Sequence, residues 1–442
     1  MHAQIAKPSI AAACEELQTL LGPRAQTGDA VREHHSHGES YHAAAMPDIV
    51  CFPASVEEVS AILRVSQRHQ LPVIPFGAGS SLEGHVNALY GGISIDMREM
   101  NKVTRVSVAD LDVTVEAGVT RNQLNKALTN TGLMFFIDPG ADATIGGMAA
   151  TRASGTTAVR YGTMRENVLA LTVVLADGTV IKTGTRARKS SAGYDLTRLF
   201  VGSEGTLGVI TDVTLRLHPV PEAVSAAVCG FQTIRGAIET VIEVIQLGVG
   251  VARAELLDEA SIAAVNAHAG TNYAKLPTLF FEFHGLSEAQ VAEQAGLVQS
   301  LAQEHGGAGF EWATKLDDRE RLWHARHHAF YSALASRPGS KGWATDVCVP
   351  ISRLADCILE SQEDHASAAF PAPLVGHVGD GNFHLCYILD PKNDAEFAEA
   401  ARLSGRMVER TLQMGGTCTG EHGVGYGKRA YLESEHGAGL EV

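Results

Sequence analysis

The sequence predicts an α+β protein of two domains, on three observations. Its 442 residues exceed what one hydrophobic core ordinarily supports. Short strands and short helices alternate up to His218-Pro219-Val220-Pro221, where a boundary falls, and long helices separated by strands follow it. Antiparallel hairpin signals, of which Asp177-Gly178 is the clearest, run among these elements and suggest α+β layers.

Taken in order, residues 1–22 read as a short amphipathic helix, and the Glu15-Glu16 pair interrupts the apolar run that a secretory segment would need. The polar stretch 32–42, with His34, His35 and His37, reads as a solvated loop. A helix is expected over 56–70, where Val59, Ile62, Leu63 and Val65 recur at helical spacing behind a Ser55 cap, with Glu57 and Glu58 in the first turn. Strands are expected over 72–76, 93–97, 103–108 and 112–116, and then a helix over 121–131 stopped by Gly132. Residues 138–167 are rich in Gly, Ala, Ser and Thr, a composition that lets backbone approach a ligand. Strands 171–175 and 179–182 flank the Asp177-Gly178 turn, and 209–217 closes the first domain. Beyond it helices are expected over 235–247, 287–305, 317–336, 351–365 and 395–414, with a strand over 279–284.

Composition narrows the function classes. Hydrophobic residues at 45% and charged residues at 19% suit a soluble globular enzyme. The formal net charge of -15, without clustered Lys and Arg, speaks against a nucleic-acid surface. No apolar run reaches the roughly 18–20 residues that span a bilayer, so any membrane contact is expected to be peripheral. Seven cysteines contain no Cys-x-x-Cys pair, which points to neither a disulfide framework nor a zinc knuckle.

Residues 376–384, Gly-His-Val-Gly-Asp-Gly-Asn-Phe-His, place two histidines around a tight turn. Pairing Val378 with Phe383 would set His377 across from His384, with Cβ atoms about 4.5–5.5 Å apart, a spacing that suits two imidazoles sharing one divalent ion. An isolated pair fits an ordinary hairpin as well. Downstream, the glycine-rich segment 417–425 carries Glu421 and His422, and two histidines plus a carboxylate form a recurrent metal set that leaves positions open for substrate.

Gly77-Ala78-Gly79-Ser80-Ser81 follows a strand and offers consecutive amides for an anion nest, though its spacing matches neither the dinucleotide fingerprint nor a P-loop. With Pro139-Gly140, Ile145 to Ala150, Ala153-Ser154-Gly155 and Gly202 to Gly208 it makes a set of glycine-rich segments in one domain, as one extended ligand would require.

These segments resemble those of the flavoprotein family typified by vanillyl-alcohol oxidase and p-cresol methylhydroxylase. His-Val-Gly-Asp-Gly-Asn-Phe-His and Gly-Glu-His-Gly resemble the branch of D-lactate and D-2-hydroxyglutarate dehydrogenases. The resemblance runs from about Pro47 onward. It implies a p-cresol-methylhydroxylase-type FAD domain of two subdomains over 46–222, after a lead-in over 1–45. An α+β substrate domain with an antiparallel sheet would cover 223–414, and 415–442 would return to the FAD domain. Relatives usually continue past this terminus, so either the return segment is shortened or further residues follow Val442.

The resemblance further implies that Pro75, Gly77, Ala78, Gly79, Ser80 and Ser81, together with Pro139, Gly140, Gly146, Gly147, Ser154, Gly155, Glu204, Gly205 and Ile210, contact FAD. Ser80 stands where members with a tethered flavin carry histidine, so non-covalent FAD is implied. It implies zinc or manganese on His377, His384 and Glu421, with His422 as general base. Arg326 and Lys341 would bind substrate carboxylate and Asn382 would orient substrate or flavin, although an Asn in a turn often serves only the turn. The implied reaction is oxidation of a D-2-hydroxy acid, D-lactate to pyruvate first, with electrons passing to a cytochrome or quinone. A glycolate oxidase flavin subunit and a D-2-hydroxyglutarate dehydrogenase are alternatives within the fold, and a flavin-free metallohydrolase is one outside it. A cytoplasmic or membrane-peripheral setting and a homodimer complete the expectations.

Overall fold

A computed structural model describes residues 7–441 and divides the chain into two compact units. The first holds the chain up to Gly155, Gly162–Val220 and Glu421–Gly427; the second holds Thr156–Tyr161, Pro221–Gly420 and the chain from Lys428 onward. Both mix helices with largely antiparallel sheets, an α+β architecture.

In the first unit, a four-stranded sheet has the order Ala25–Gln26, Ile49–Cys51, Ile93–Asp96, Val73–Phe76, the last three parallel. The helix Val56–His69 starts where Ser55 Oγ accepts the Glu58 N–H at 3.3 Å, and it buries Val59, Ile62, Leu63 and Val65 against Ile49, Ile93 and Ile95. The amphipathic spacing predicts both its position and its buried face. A second helix, Lys7–Leu21, packs on the same core through Ala13, Leu17 and Leu21; residues 1–6 of the expected N-terminal helix lie outside the described residues.

The other sheet of this unit has five antiparallel strands, in the order Val103–Ser107, Asp112–Glu116, Val209–Arg216, Val168–Val174, Val180–Lys182. Its hairpin turns at Asp177-Gly178, where Gly178 adopts φ +82° and Asp177 Oδ1 accepts the Thr179 N–H. The short helix Ile145–Thr151 covers the sheet and buries Ile145, Met148 and Ala149.

The polar histidine stretch departs from expectation. Asp29–His34 is a helix, and His35 is 1% exposed, with Nε2 at 2.8 Å from Asp96 Oδ2 and Nδ1 at 2.7 Å from Val31 O. Burial opposes charge on Asp96, yet His35 and Arg98 hold its carboxyl below the usual range. A partner 61 residues away, invisible to local polarity, buries His35, while His34 and His37 stay exposed as expected.

The second unit is organised on an eight-stranded antiparallel sheet. From one edge the order is Gly307–Ala313, Ala223–Phe231, Thr278–Gly285, Val251–Leu257, Leu374–His377, Asn382–Leu389, Lys341–Ala344, with Val347–Cys348 also pairing the strand Asn382–Leu389. Helices cover both faces, so the strands read as apolar runs rather than as alternating ones. Along Thr278–Gly285, Leu279, Phe281 and Phe283 face a core shared with the helices Ile234–Gln246 and Glu288–Glu304. Phe280, between them, faces a second core formed with Glu259–His268 and Leu316–Ala335. Each of these phenylalanines is fully buried, which contributes roughly 1.5–3 kcal/mol apiece. Three strands of this sheet are not anticipated from the sequence: Ala223–Phe231 and Gly307–Ala313 carry no period-2 signal, and Val251–Leu257 alternates only over the short stretch Ala252–Leu256.

Asp258 caps the helix Glu259–His268 by accepting the Ser261 N–H at 2.8 Å, and burial pushes its carboxyl up to about 6. An acid whose folded pKa lies above its unfolded value of about 3.9 binds more protons when folded, so stability falls as pH rises through that window and stays low above it. Asp258→Asn keeps a capping oxygen without the charge. It is expected to leave stability unchanged near pH 4 and to raise it by up to about 3 kcal/mol at pH 8. Denaturant melts at the two pH values check this, and equal curves for both proteins at pH 8 would contradict it.

Candidate active site

His377 ends the strand Leu374–His377 and His384 lies in Asn382–Leu389. The register pairs His377 with Asn382 and His384 with Val375, so the expected pairing of Val378 with Phe383 is replaced by one shifted by two residues. Gly381, at φ +80°, accounts for the shift: it runs so close to Val349 O that any Cβ would collide with it, and its own carbonyl accepts the Val349 N–H at 3.0 Å. The shift is by an even number, so the histidines stay on one face as diagonal neighbours. Their ring centroids lie 5.3 Å apart, at 82°.

Each ring is oriented through Nδ1. His377 Nδ1 is 2.8 Å from Glu255 Oε1, and His384 Nδ1 is 2.7 Å from the Thr345 carbonyl oxygen. Both partners are acceptors, so both Nδ1 atoms carry the proton and Nε2 is the lone-pair nitrogen in each neutral ring. This is how imidazoles are prepared for a metal ion; imidazole nitrogens suit zinc, and a carboxylate beside them would also suit manganese.

Glu255, fully buried in the strand Val251–Leu257, reaches past His377 to Arg326. Arg326 Nε and Nη2 each lie 2.7 Å from Glu255 Oε2. Burial alone would raise the Glu255 carboxyl, but its partners His377 and Arg326 hold it below the usual range. Arg326 sits on the helix Leu316–Ala335 over this face, as the sequence places it, with one side of its guanidinium committed to Glu255 and Nη1 outside that pair.

Asn382 is 5% exposed, and its Nδ2 donates to Asp346 Oδ1 and to Val347 O, each at 2.8 Å. Its amide therefore serves the local framework. Asp346 is the hub of that framework: Thr419 Oγ1 donates to Oδ2 at 2.6 Å, and Lys428 Nζ lies 2.9 Å from its carbonyl oxygen and 3.4 Å from Oδ2. Gly420 lies so close to Asn382 Nδ2 that a Cβ would collide with it. Glu421 and His422 are the next two residues, each about 3.8 Å of Cα travel further along the chain. Glu421 Oε1 and His422 Nε2 are 3.9 Å apart.

Lys341 does not lie in the expected polar loop. It opens the strand Lys341–Ala344 opposite Leu389, five residues along the neighbouring strand from His384, a separation of roughly 16 Å. It therefore does not share the position of the histidine pair.

Glu255, Asp346 and Lys428 are absent from the site expected from the sequence. The signal that could have found Glu255 is a pair of opposite charges, Arg253 and Glu255, set among apolar residues in Val-Ala-Arg-Ala-Glu-Leu-Leu at 251–257.

In the first unit the glycine-rich segments converge through their own packing. A Cβ on Gly77 would collide with Thr144 Oγ1, and one on Gly146 would stand 2.5 Å from Ala117 Cβ. Gly205, at φ +79°, would meet Pro75 Cδ at 3.1 Å, and the Glu204 N–H bonds Ala150 O at 2.9 Å. Gly79 (φ +72°) turns the loop of Ala78, Ser80 and Ser81 after the strand Val73–Phe76. Thr144 caps the helix carrying Gly147, and Gly155 abuts the Asp138 backbone close to Pro139 and Gly140, with Ser154 beside it. Several of these glycines are thus required by neighbouring protein chain before any ligand is considered.

Two buried hydroxyls at this convergence, Ser81 Oγ and Ser203 Oγ, have no protein hydrogen-bond partner, as polar atoms awaiting a bound nucleotide would. The residues fit FAD on that count. Ile210 buries its side chain in the core, so only its backbone can serve a ligand. Glu204 holds a neighbouring segment of chain in place. Its Oε1 accepts the Val424 N–H at 2.7 Å, its Oε2 accepts the Gly425 N–H at 2.8 Å, and His85 Nε2 lies 3.1 Å from Oε2. Burial opposes its charge, but His85 and those two amides hold its carboxyl low. The segment so anchored carries Glu421 and His422.

The sequence matches the family described as FAD linked oxidases, C-terminal domain, over residues 220–441, and an FAD binding domain over 47–184. The chain belongs to the FAD-linked oxidases, flavoproteins of the p-cresol methylhydroxylase fold. Its curated relatives include the probable mitochondrial D-lactate dehydrogenase of Danio rerio, 52% identical over 93% of this chain and 83% of that protein. They also include the mitochondrial D-lactate dehydrogenase (cytochrome) of Arabidopsis thaliana, 47% identical over 96% of this chain and 75% of that protein. Among solved structures, p-cresol methylhydroxylase with substrate bound superposes with a TM-score of 0.78 over 99% of this chain and 95% of that chain, at 16% identity, a likeness of fold.

Proposed function

We propose that this chain is an FAD-dependent dehydrogenase of D-2-hydroxy acids, oxidising D-lactate to pyruvate. The observation that carries the reading is the pair of imidazoles, His377 and His384, each protonated at Nδ1 and presenting Nε2 from one sheet face under Arg326. The high identity to D-lactate dehydrogenases supports the choice of substrate.

Oxidation of a 2-hydroxy acid removes a proton from the hydroxyl and a hydride from C2, leaving a carbonyl. A divalent ion, when bound, lowers the pKa of a hydroxyl it polarises, and FAD, when bound, takes up the hydride. His377, His384 and Glu421 would hold the ion through two nitrogens and a carboxylate. Arg326 would meet the substrate carboxylate with the part of its guanidinium that Glu255 leaves. His422 would accept the hydroxyl proton on its imidazole, the side chain best matched to that work near neutral pH. The role of Lys341 is weakened by its distance along the strand, and Asn382 acts through Asp346. The cytochrome in the Arabidopsis relative's name supports a cytochrome as electron acceptor. Among the described residues no helix is long and apolar enough to cross a membrane. Both relatives are mitochondrial by name, which lends no support to a cytoplasmic setting.

Anaerobic reduction of the purified flavoprotein by a panel of D- and L-2-hydroxy acids tests this. D-lactate is expected to bleach the flavin and L-lactate to leave it oxidised. A preparation that releases no flavin on denaturation, or that both enantiomers reduce equally, would overturn the reading.

A further inference from the structure

One buried carboxylate joins two groups to which the proposed function gives different roles. Glu255 Oε1 accepts from His377 Nδ1, while Oε2 accepts from both Nε and Nη2 of Arg326. Its partners arrive from other elements: the neighbouring strand Leu374–His377 and the overlying helix Leu316–Ala335. Both are fixed by packing. Leu256 pairs with Gly376 in the ladder, which sets Glu255 beside His377, and Ala325 next to Arg326 is fully buried in the core beneath that helix.

We infer that Glu255 is a positioning residue that couples substrate recognition to metal binding, fixing the His377 tautomer with one oxygen and the Arg326 guanidinium with the other. This deepens the proposed function and rests on its metal reading. Without Glu255, His377 could place its proton on either nitrogen, and the fraction protonated at Nε2 would have no lone pair there to offer an ion. Arg326 would lose the fork that aims Nη1. Both defects would follow from a single change at a residue that touches neither metal nor substrate.

Neighbouring acidic groups do not duplicate the role. Glu282, on the same sheet face one strand further, is held by Arg253 Nη1 at 3.2 Å and by His284 Nε2 at 2.8 Å, and His284 Nδ1 in turn meets the Tyr161 hydroxyl at 2.7 Å. That second network engages Arg253, His284 and Tyr161, and Asp346 Oδ1 lies 3.8 Å from His384 Nδ1 rather than on His377, so Glu255 is the carboxylate hydrogen-bonded to His377 Nδ1.

The test uses the full FAD-loaded protein with Glu255→Gln, which keeps shape and one acceptor but places an amide against the guanidinium. Manganese or zinc affinity is measured by titration of the metal-stripped protein against a chelating dye, separately from turnover. Glu255→Gln is expected to weaken metal binding about 10–100-fold and to raise the KM for D-lactate, with flavin content unchanged. Wild-type metal affinity in the folded variant would overturn the inference while leaving the proposed function standing. A wild-type protein that binds neither ion would overturn the metal reading itself, and the inference with it.

Should Glu255→Gln not accumulate in folded form, Arg326→Gln carries the same test. Loss of the guanidinium frees Glu255 from one side of its frame, so metal affinity is expected to change several-fold at a residue that is not a ligand. An unchanged affinity would show that the two groups are not coupled.

Discussion

Asp346→Ala is expected to cost about 3–5 kcal/mol of stability, the loss that follows when one member of a buried ion pair is removed and its partner stays behind. Asp346 is fully buried, and its carboxylate and carbonyl together hold Lys428 Nζ, the Asn382 amide and the Thr419 hydroxyl. Truncation would leave an ammonium with side-chain exposure of only 8% without its counter-charge and two neutral donors without their acceptor. Lys428→Met should cost less, because Asn382 and Thr419 still satisfy the carboxylate. The double variant Asp346→Asn/Lys428→Met should be better than the sum of its singles, since the groups share one network. Denaturant midpoints at fixed m-value check this, and a loss below about 1 kcal/mol for Asp346→Ala would show the pair to be solvated in solution. The same variant bears on chemistry, because Thr419 leads directly into Gly420, Glu421 and His422.

His422→Ala is expected to slow flavin reduction by D-lactate about 10²–10⁴-fold, the range for loss of a positioned general base, while FAD stays bound. Retention is expected because the segment is anchored elsewhere, through the Val424 and Gly425 amides on Glu204 and the Tyr426 N–H on Glu83 O. Stopped-flow bleaching under anaerobic conditions reads the rate, and flavin released on denaturation reads the occupancy. Unchanged bleaching would remove His422 from the proposed mechanism; loss of FAD would instead assign it to holding the segment. His422→Gln, which keeps hydrogen-bonding capacity but cannot take a proton, should resemble the alanine variant in rate.

The parts of the fold legible in the sequence are those whose physics is local. The helix Val56–His69 announces itself through a Ser55 cap and apolar residues at helical spacing, and the Asp177-Gly178 turn through a glycine that the structure holds at φ +82°. Legibility fails where tertiary burial replaces alternation. Val251–Leu257 is buried on both faces, whereas its short alternation puts Arg253 and Glu255 on what reads as a solvent face, and so Glu255 goes unseen as a buried group. His35 looks solvent-facing in the sequence because its neighbours are polar, yet the fold brings Asp96 against it.

Which donors exist, and which are covalently close, follows from residue order alone: two histidines around one turn, a carboxylate and an imidazole side by side at 421 and 422, and a glycine-rich first domain. How those donors are aimed depends on packing between distant segments. The hairpin register moved by two residues because Gly381 packs on Val349, and an even shift keeps side chains on the same face of a pleated strand. The His377 tautomer is set by Glu255, 122 residues away in the chain, and Arg326 by the same carboxylate across 71 residues. Such partners are chosen by strand register and helix placement, which depend on burying whole faces at once and therefore leave no mark in any short stretch of sequence.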